Sequence, residues 1–586
     1  MNRFRKTKIV ATLGPSTDSL EIIENLIQAG VNVFRMNFSH GTHAEHLERL
    51  ERIRSASEKL NANVAVLQDL QGPKIRIGDV ENGAVELKNG SAFRISTTPC
   101  VANAERASVS YPYLLEDIEV NSRVLIDDGN MELQVLRKEE DALVCVVVHG
   151  GLLKPRKGVN FPDASLQIAA LSQKDRDDLA FAIEHKLDFV AVSFVQRPSD
   201  VMETKDFLSA RGAYIPVIAK IERQEAINNI ERIIDVADGV MVARGDLGVE
   251  IPPEAVPLSQ KKIISLCNEA GKPVITATQM LDSMVNNPRP TRAEASDVAN
   301  AILDGTDAIM LSNETAAGQY PLQAVQTMHR IAMAIETQMR EAFTGKLLRK
   351  NNTLNISASV GAAACQMAHA LHASAIISAT MGGSIVRQIA KHRPPVPVVA
   401  ATPHEATLKR LNLSWGVFPI KIEAAEDTDT LMRTVLEASL KHELVSKGDT
   451  VILTAGIPAG QPGSTNMIKV ETVTKVLTKG MGLGHAIVSG RAMLCQSAEE
   501  AQQKIEDGDI LITGMTSRDY MPIMNRVRAI VTVEGGLTSH AAIVGMSLGI
   551  PVLLGVEDAF EILKEGGQIT VDPSQGLIFT GVPNIT

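Results

Sequence analysis

Two short stretches, PVIAKIE at 216–222 and GVMVARGD at 239–246, decide how the chain is read. Each opens on an apolar run and closes on charged residues. Side chains in a strand alternate faces, so Lys220 and Glu222 project to the same side at a strand end. Working outward, similar apolar runs recur at 8–13, 31–38, 63–69, 188–195, 273–279 and 307–312, most of them followed by an amphipathic helix. The helix signals are local. Apolar residues at helical spacing over 20–29 stop at Gly30. Ser172 with Asp175, and Thr291 with Glu294, have capping-box spacing, and Gly305 ends the helix over 295–303. Eight such units predict a parallel (β/α)8 barrel with its active site at the carboxyl ends of the strands.

One interval breaks the rhythm. Between the third and fourth runs lie short alternating segments at 84–87, 123–126 and 143–148, with turn signals at Glu81-Asn82-Gly83 and Asp127-Asp128-Gly129. They predict a small β-barrel domain, 72–167, inserted on the catalytic face as a lid. It divides the barrel domain into 1–71 and 168–345. Helical patterns at 357–372, 384–391 and 428–446 alternate with strand patterns at 375–378, 396–401 and 450–454, which predicts an open α/β domain over 346–472. A glycine-rich passage, KGMGLG at 479–484, leads into a last β/α module, 473–586, with strands at 510–512, 529–533, 552–554 and 568–571.

Composition narrows the function. A chain of 586 residues implies about three to five domains. No apolar run is long enough to span a bilayer, and the basic residues 1–8 lack the apolar stretch of a signal peptide. The five cysteines are scattered without CxxC spacing, which excludes zinc and dithiol motifs and fits reduced thiols in the cytoplasm. A net charge of −10 and 3% aromatic residues argue against nucleic acid as a partner. An acidic chain that binds an anion must gather its basic residues locally.

The strand ends supply that concentration. Lys220, Glu222 and Asp246, from adjacent strand ends, could bring one lysine and two carboxylates to a point. Carboxylates suit Mg²⁺ or Mn²⁺, and a lysine beside such an ion can neutralise a phosphoryl group or an enolate. An ordinary inter-strand salt bridge is the alternative. Arg35, Asn37 and Ser39 share a face of the second strand, and Arg35 can hold a phosphate or carboxylate bidentately. Thr276 and Thr278 lie on the seventh strand, with Thr278 able to relay a proton or serve structure alone. The turn Arg244-Gly245-Asp246-Leu247-Gly248 can offer backbone N–H groups to an anion.

Taken together, the blocks at 8–14, 35–41, 69–76, 157–162, 218–222, 241–252 and 273–282 resemble pyruvate kinase over roughly residues 5–470. The resemblance implies phosphoryl transfer from phosphoenolpyruvate to ADP, giving pyruvate and ATP in glycolysis. It implies Glu222 and Asp246 as ligands of Mg²⁺ or Mn²⁺ and Lys220 as the group that stabilises the transition state. It also implies Arg35, Gly245, Asp246 and Thr278 as substrate contacts, Arg76 and Lys157 as nucleotide contacts, and a homotetramer. Related lyase or dikinase barrels and a catalytically silent phosphoenolpyruvate sensor are the competing readings. Arg76 and Lys157 argue against the first, and the intact Lys220, Glu222 and Asp246 against the second.

The sequence also departs from the family pattern. Many members bind K⁺ through residues matching Asn37, Ser39, Asp69 and a hydroxyl residue at the next position, which here is Leu70. Four residues beyond Leu70, where many relatives are acidic, stands Lys74. This resembles the K⁺-independent branch, with the Lys74 ammonium replacing K⁺. The loops Thr380-Met381-Gly382-Gly383-Ser384 and 456–466 suit a phosphorylated effector. The C-terminal GGLTSHAA at 535–542 resembles the phosphohistidine swivelling domain of phosphoenolpyruvate synthase and pyruvate phosphate dikinase, which marks His540 as the candidate phosphohistidine. The chain has no ATP-grasp partner, which favours a structural or regulatory role for this module.

Overall fold

The computed structural model describes residues 4–342, 356–425, 427–457, 465–473 and 476–580. The chain forms two compact units. One comprises 1–365, 378–426 and 455–466, and the other 366–377, 427–454 and 467–586.

The first unit is built on a closed parallel barrel. Its strands are β1 (Lys8–Thr12), β2 (Val33–Asn37), β3 (Ala65–Asp69), β4 (Phe189–Val192), β5 (Val217–Ile221), β6 (Gly239–Ala243), β7 (Val274–Ala277) and β8 (Ala308–Leu311), each paired with its neighbours around the ring. Strand parity explains the packing. Val10, Val33, Leu67, Ala191, Ile218, Met241, Ile275 and Met310 fill the barrel, and the alternate residues, such as Ile9, Phe34, Val66, Val190, Ala219 and Val240, pack outward in the larger core. Capping boxes at Ser172/Asp175 and Thr291/Glu294 start two of the barrel's helices, and Gly305, left-handed at φ 97°, ends the second.

The amino ends of the strands are tied by a repeated device. The residue just before a strand accepts the backbone N–H at the start of its neighbour: Asn32 from Ile9, Asp188 from Val66, Asp238 from Val217 and Asp307 from Val274. Burial pushes the Asp188 carboxyl up to about 6. Asp307 also pairs with Arg393, at 2.9 Å and 3.1 Å, and accepts from Trp415 N.

The insert between β3 and β4 carries a six-stranded sheet containing Arg123–Ile126, Met131–Lys138 and Ala142–His149. Bridges from Arg76 to Gly158 and from Ile77 to Val109 link its two edges into a small barrel. Its turn at 127–129 has positive φ at all three residues, the geometry its Asp-Asp-Gly composition predicts.

Beyond the barrel, helices Ile356–Ala370, Ser384–Ala390 and Thr428–Lys441 alternate with strands Ala375–Ala379, Val398–Thr402 and Thr450–Gly456. Strand Val417–Lys421, which pairs with Val398–Thr402, escapes the sequence reading because Pro419 interrupts its apolar pattern.

The second unit contains an eight-stranded sheet. The passage at 479–484 is not a linker into this sheet, as its glycines suggest, but part of it. Val476–Lys479 and Met481–Leu483 are its outer strands. Glycine is needed at 482 because a Cβ there would lie 1.8 Å from Pro573 O.

Candidate active site

At the carboxyl ends of the strands the inward parity that delivers apolar side chains to the barrel turns polar. Arg35, Asp69, Ser193, Lys220 and Glu222 continue the inward positions of β2, β3, β4 and β5, and all are buried. Their charges interlock. Arg35 Nε donates to Asp69 Oδ2 at 2.7 Å, and Arg35 Nη1 to Thr12 Oγ1 at 3.1 Å. Lys220 Nζ meets Ser193 Oγ at 2.7 Å, Glu222 Oε1 at 2.9 Å and Asp69 Oδ1 at 3.2 Å. An ammonium has three N–H donors, and here three acceptors surround it. Burial opposes its charge, but Asp69 and Glu222 hold its pKa above the ordinary lysine value. Asp69 is held below the usual carboxylate range, against the effect of burial, by Lys220 and Arg35.

Glu222 behaves differently. Burial raises its pKa and the nearby Asp246 carboxylate adds to the rise, although Lys220 and the Phe194 N–H, 2.6 Å from Oε2, oppose it. Two carboxylates that repel one another in a buried site fit a hard divalent cation, and the donor set is oxygen only. Among the described residues no group of three or more His, Cys, Asp or Glu side chains stands ready as a cage. Such an ion would therefore keep positions open for other oxygens.

Asp246 reaches this point by a route the strand reading misses. β6 ends at Ala243, and Asp246 sits in the first turn of the helix Arg244–Glu250. The glycine turn expected at 244–248 is this helical turn. Arg244 clamps it, donating to Ala277 O, Thr278 O and Asp297. Thr278 lies beyond β7 with φ 68°, a strained conformation for a β-branched residue. Its hydroxyl accepts from Gly245 N at 2.7 Å and donates to Ala277 O at 2.6 Å, which brings Gly245 and Thr278 together. Thr276 faces away and is fully buried against Thr306, a structural role.

The inserted domain carries the basic residues Arg76 and Lys157. Arg76 bridges to Gly158 and donates to Arg156 O, while Lys157 pairs with Asp127 at 2.6 Å. Lys74 Nζ lies 3.7 Å from Asp128 and 4.0 Å from Asp246. Asn37 Oδ1 accepts from Ser39 N, and Leu70 is buried with no side-chain oxygen to offer. Thr12, Ser193 and Arg244 are site residues whose roles sequence reasoning missed. Ser193 could have been found from the inward parity of its run.

Comparison with known proteins resolves the family. A model of the pyruvate kinase barrel domain matches residues 4–325, and one of the pyruvate kinase alpha/beta domain matches 358–471. The chain belongs to the pyruvate kinase family. A pyruvate kinase from Geobacillus stearothermophilus is 48% identical over 98% of this chain and 99% of its own length. One from Sporosarcina psychrophila is 47% identical over 99% of each chain. A crystal structure of a pyruvate kinase from Cryptosporidium parvum superimposes with a TM-score of 0.77 at 37% identity, covering 80% of this chain and 96% of that one. A model of the mobile domain of PEP-utilising enzymes matches 505–576. There His540 opens the helix His540–Leu548, and its Nδ1 lies 3.0 Å from Thr516 Oγ1. No helix among the described residues is long and apolar enough to cross a membrane.

Proposed function

We propose that the site transfers the phosphoryl group of phosphoenolpyruvate to ADP. The observation that carries this reading is the buried Lys220, fixed in direction by Asp69, Glu222 and Ser193 beside the Glu222–Asp246 pair. Arg35 and Lys220 present cationic donors to a phosphoryl group, and Ser193, the uncharged acceptor of Lys220, is the partner a phosphoryl oxygen displaces at least cost. Glu222 and Asp246 would hold Mg²⁺ or Mn²⁺, which supplies charge neutralisation for the phosphoryl and enolate oxygens. Gly245 and Thr278 line the substrate, and the Thr278 hydroxyl passes a proton to the enolate through water. Arg76 and Lys157 face the nucleotide from the lid. Pyruvate should appear only when ADP is supplied with phosphoenolpyruvate; release without ADP would mean that water, not a nucleotide, takes the phosphoryl group, and would overturn this reading.

Turnover is independent of K⁺ in this reading. Lys74 points at Asp246 and Asp128, not into solvent, and Leu70 removes one K⁺ ligand. Replacing K⁺ by tetramethylammonium should leave kcat unchanged, whereas Lys74→Glu should restore a K⁺ requirement of about tenfold or more. A large loss in the unsubstituted protein without K⁺ would refute this.

A phosphorylated effector at the 380–384 loop is the regulatory counterpart. Gly383 has φ 77° and its N–H bonds Thr380 Oγ1, which shapes the start of the helix Ser384–Ala390; residues 458–464 of the second loop lie outside the described residues. Sugar phosphates or nucleoside monophosphates should shift the phosphoenolpyruvate saturation curve, and Thr380→Val should weaken the shift. A curve that none of them moves would remove the effector. A homotetramer in the cytoplasm is the assembly and location proposed here, supported by the family likeness, and His540 stays outside the proposed mechanism.

A further inference from the structure

The amino-terminal end of the barrel, opposite the face that carries Lys220, holds a shallow, solvent-open recess lined by Asn268, Lys272, Asp307, Arg387, Lys391 and Arg393, among others. Four of those six side chains are basic and one is acidic. The acid is already spent, since Asp307 accepts from Arg393, Val274 N and Trp415 N. Lys272 is accounted for as well, because its Nζ donates to Ile234 O and Asp235 O near the end of the helix Ile230–Val236. Arg393 also donates to Asn268 Oδ1 and Gly305 O.

Arg387 and Lys391 are left over. They stand four residues apart at the end of the helix Ser384–Ala390, a spacing that puts both on one helix face. Neither side chain makes a hydrogen bond or ion pair with any described residue. Burial lowers the pKa of both. Asp238 and Tyr214 act on Arg387 from a distance, opposed by Arg410, but Asp238 is itself paired with Lys205 at 2.9 Å. Two desolvated cations without counter-ions are costly unless an anion joins them.

We propose that this recess binds a small phosphate-bearing anion, inorganic phosphate or a phosphomonoester, held by the Arg387 guanidinium and the Lys391 ammonium. The guanidinium fork suits two oxygens of such a group and the ammonium a third. No polar atom of the active site takes part, so the proposal stands apart from the catalytic reading.

A ligand that binds only the folded chain raises its unfolding temperature. The test is the melting temperature of the full chain titrated with sodium phosphate, and separately with glycerol 1-phosphate, against sodium chloride of equal ionic strength. Phosphate should stabilise the unsubstituted protein and Arg35→Gln alike. In Arg387→Gln/Lys391→Gln its apparent affinity should fall about tenfold or more. A response to glycerol phosphate that exceeds the response to phosphate identifies an ester as the ligand, and the reverse identifies the free ion. The site is refuted if the double variant keeps the original affinity, if Arg35→Gln alone abolishes the response, or if chloride reproduces it. If the double variant does not fold, Lys391→Gln alone carries the same comparison, with retained affinity as the refuting result.

Discussion

Lys220→Met is expected to lower kcat on the order of 10³-fold, with a much smaller effect on the KM for phosphoenolpyruvate. The ammonium is charged, buried and aimed by three acceptors at 2.7, 2.9 and 3.2 Å, so its electrostatic effect needs no reorganisation during the reaction. Methionine keeps the volume and removes the charge. Arg35 still pairs with Asp69 in the variant, which keeps that carboxylate compensated and the barrel folded. Lys220→Arg should not rescue, because a planar fork cannot point all its donors at three acceptors that converge on one nitrogen. Steady-state kinetics on circular-dichroism-matched proteins checks both statements. A KM-dominated loss would make Lys220 a ground-state binding group instead.

Glu222→Gln should weaken activation by Mg²⁺ or Mn²⁺ by roughly 10²-fold. The substitution is nearly isosteric, and one amide oxygen can still accept from Phe194 N–H or Lys220. The lost negative charge also ends the repulsion with Asp246 that raises the Glu222 pKa. The variant should therefore be no less stable than the parent without metal while being far less active with it. A metal titration of activity, paired with urea unfolding in chelator, separates those effects. An unchanged activation constant would move the metal away from Glu222.

The sequence showed the barrel because each strand carries its own apolar run, and parity alone puts Arg35, Lys220 and Glu222 inside. Asp246 was legible as a site residue but not in its true place. The turn Arg244-Gly245-Asp246 winds directly into helix, and helical geometry, not strand alternation, brings its carboxylate in. Arg244 was unreadable for a related reason. Two of its partners are the carbonyls of Ala277 and Thr278, which leave no mark in the side-chain pattern, and another, Asp297, lies 53 residues away in the chain. Thr278 carried no signal of strain, since threonine at positive φ is not predictable from composition. The strands flanking Gly480 read as linker because glycines set by close backbone contacts look the same in sequence as glycines in a flexible passage.

The measurement that bears most directly on the assignment is product formation by the purified chain given phosphoenolpyruvate, ADP and Mg²⁺. Pyruvate and ATP should appear in equal amounts, depend on ADP, and fall together in Lys220→Met. Pyruvate formed without ATP, or product formation that survives the loss of Lys220, would contradict the account.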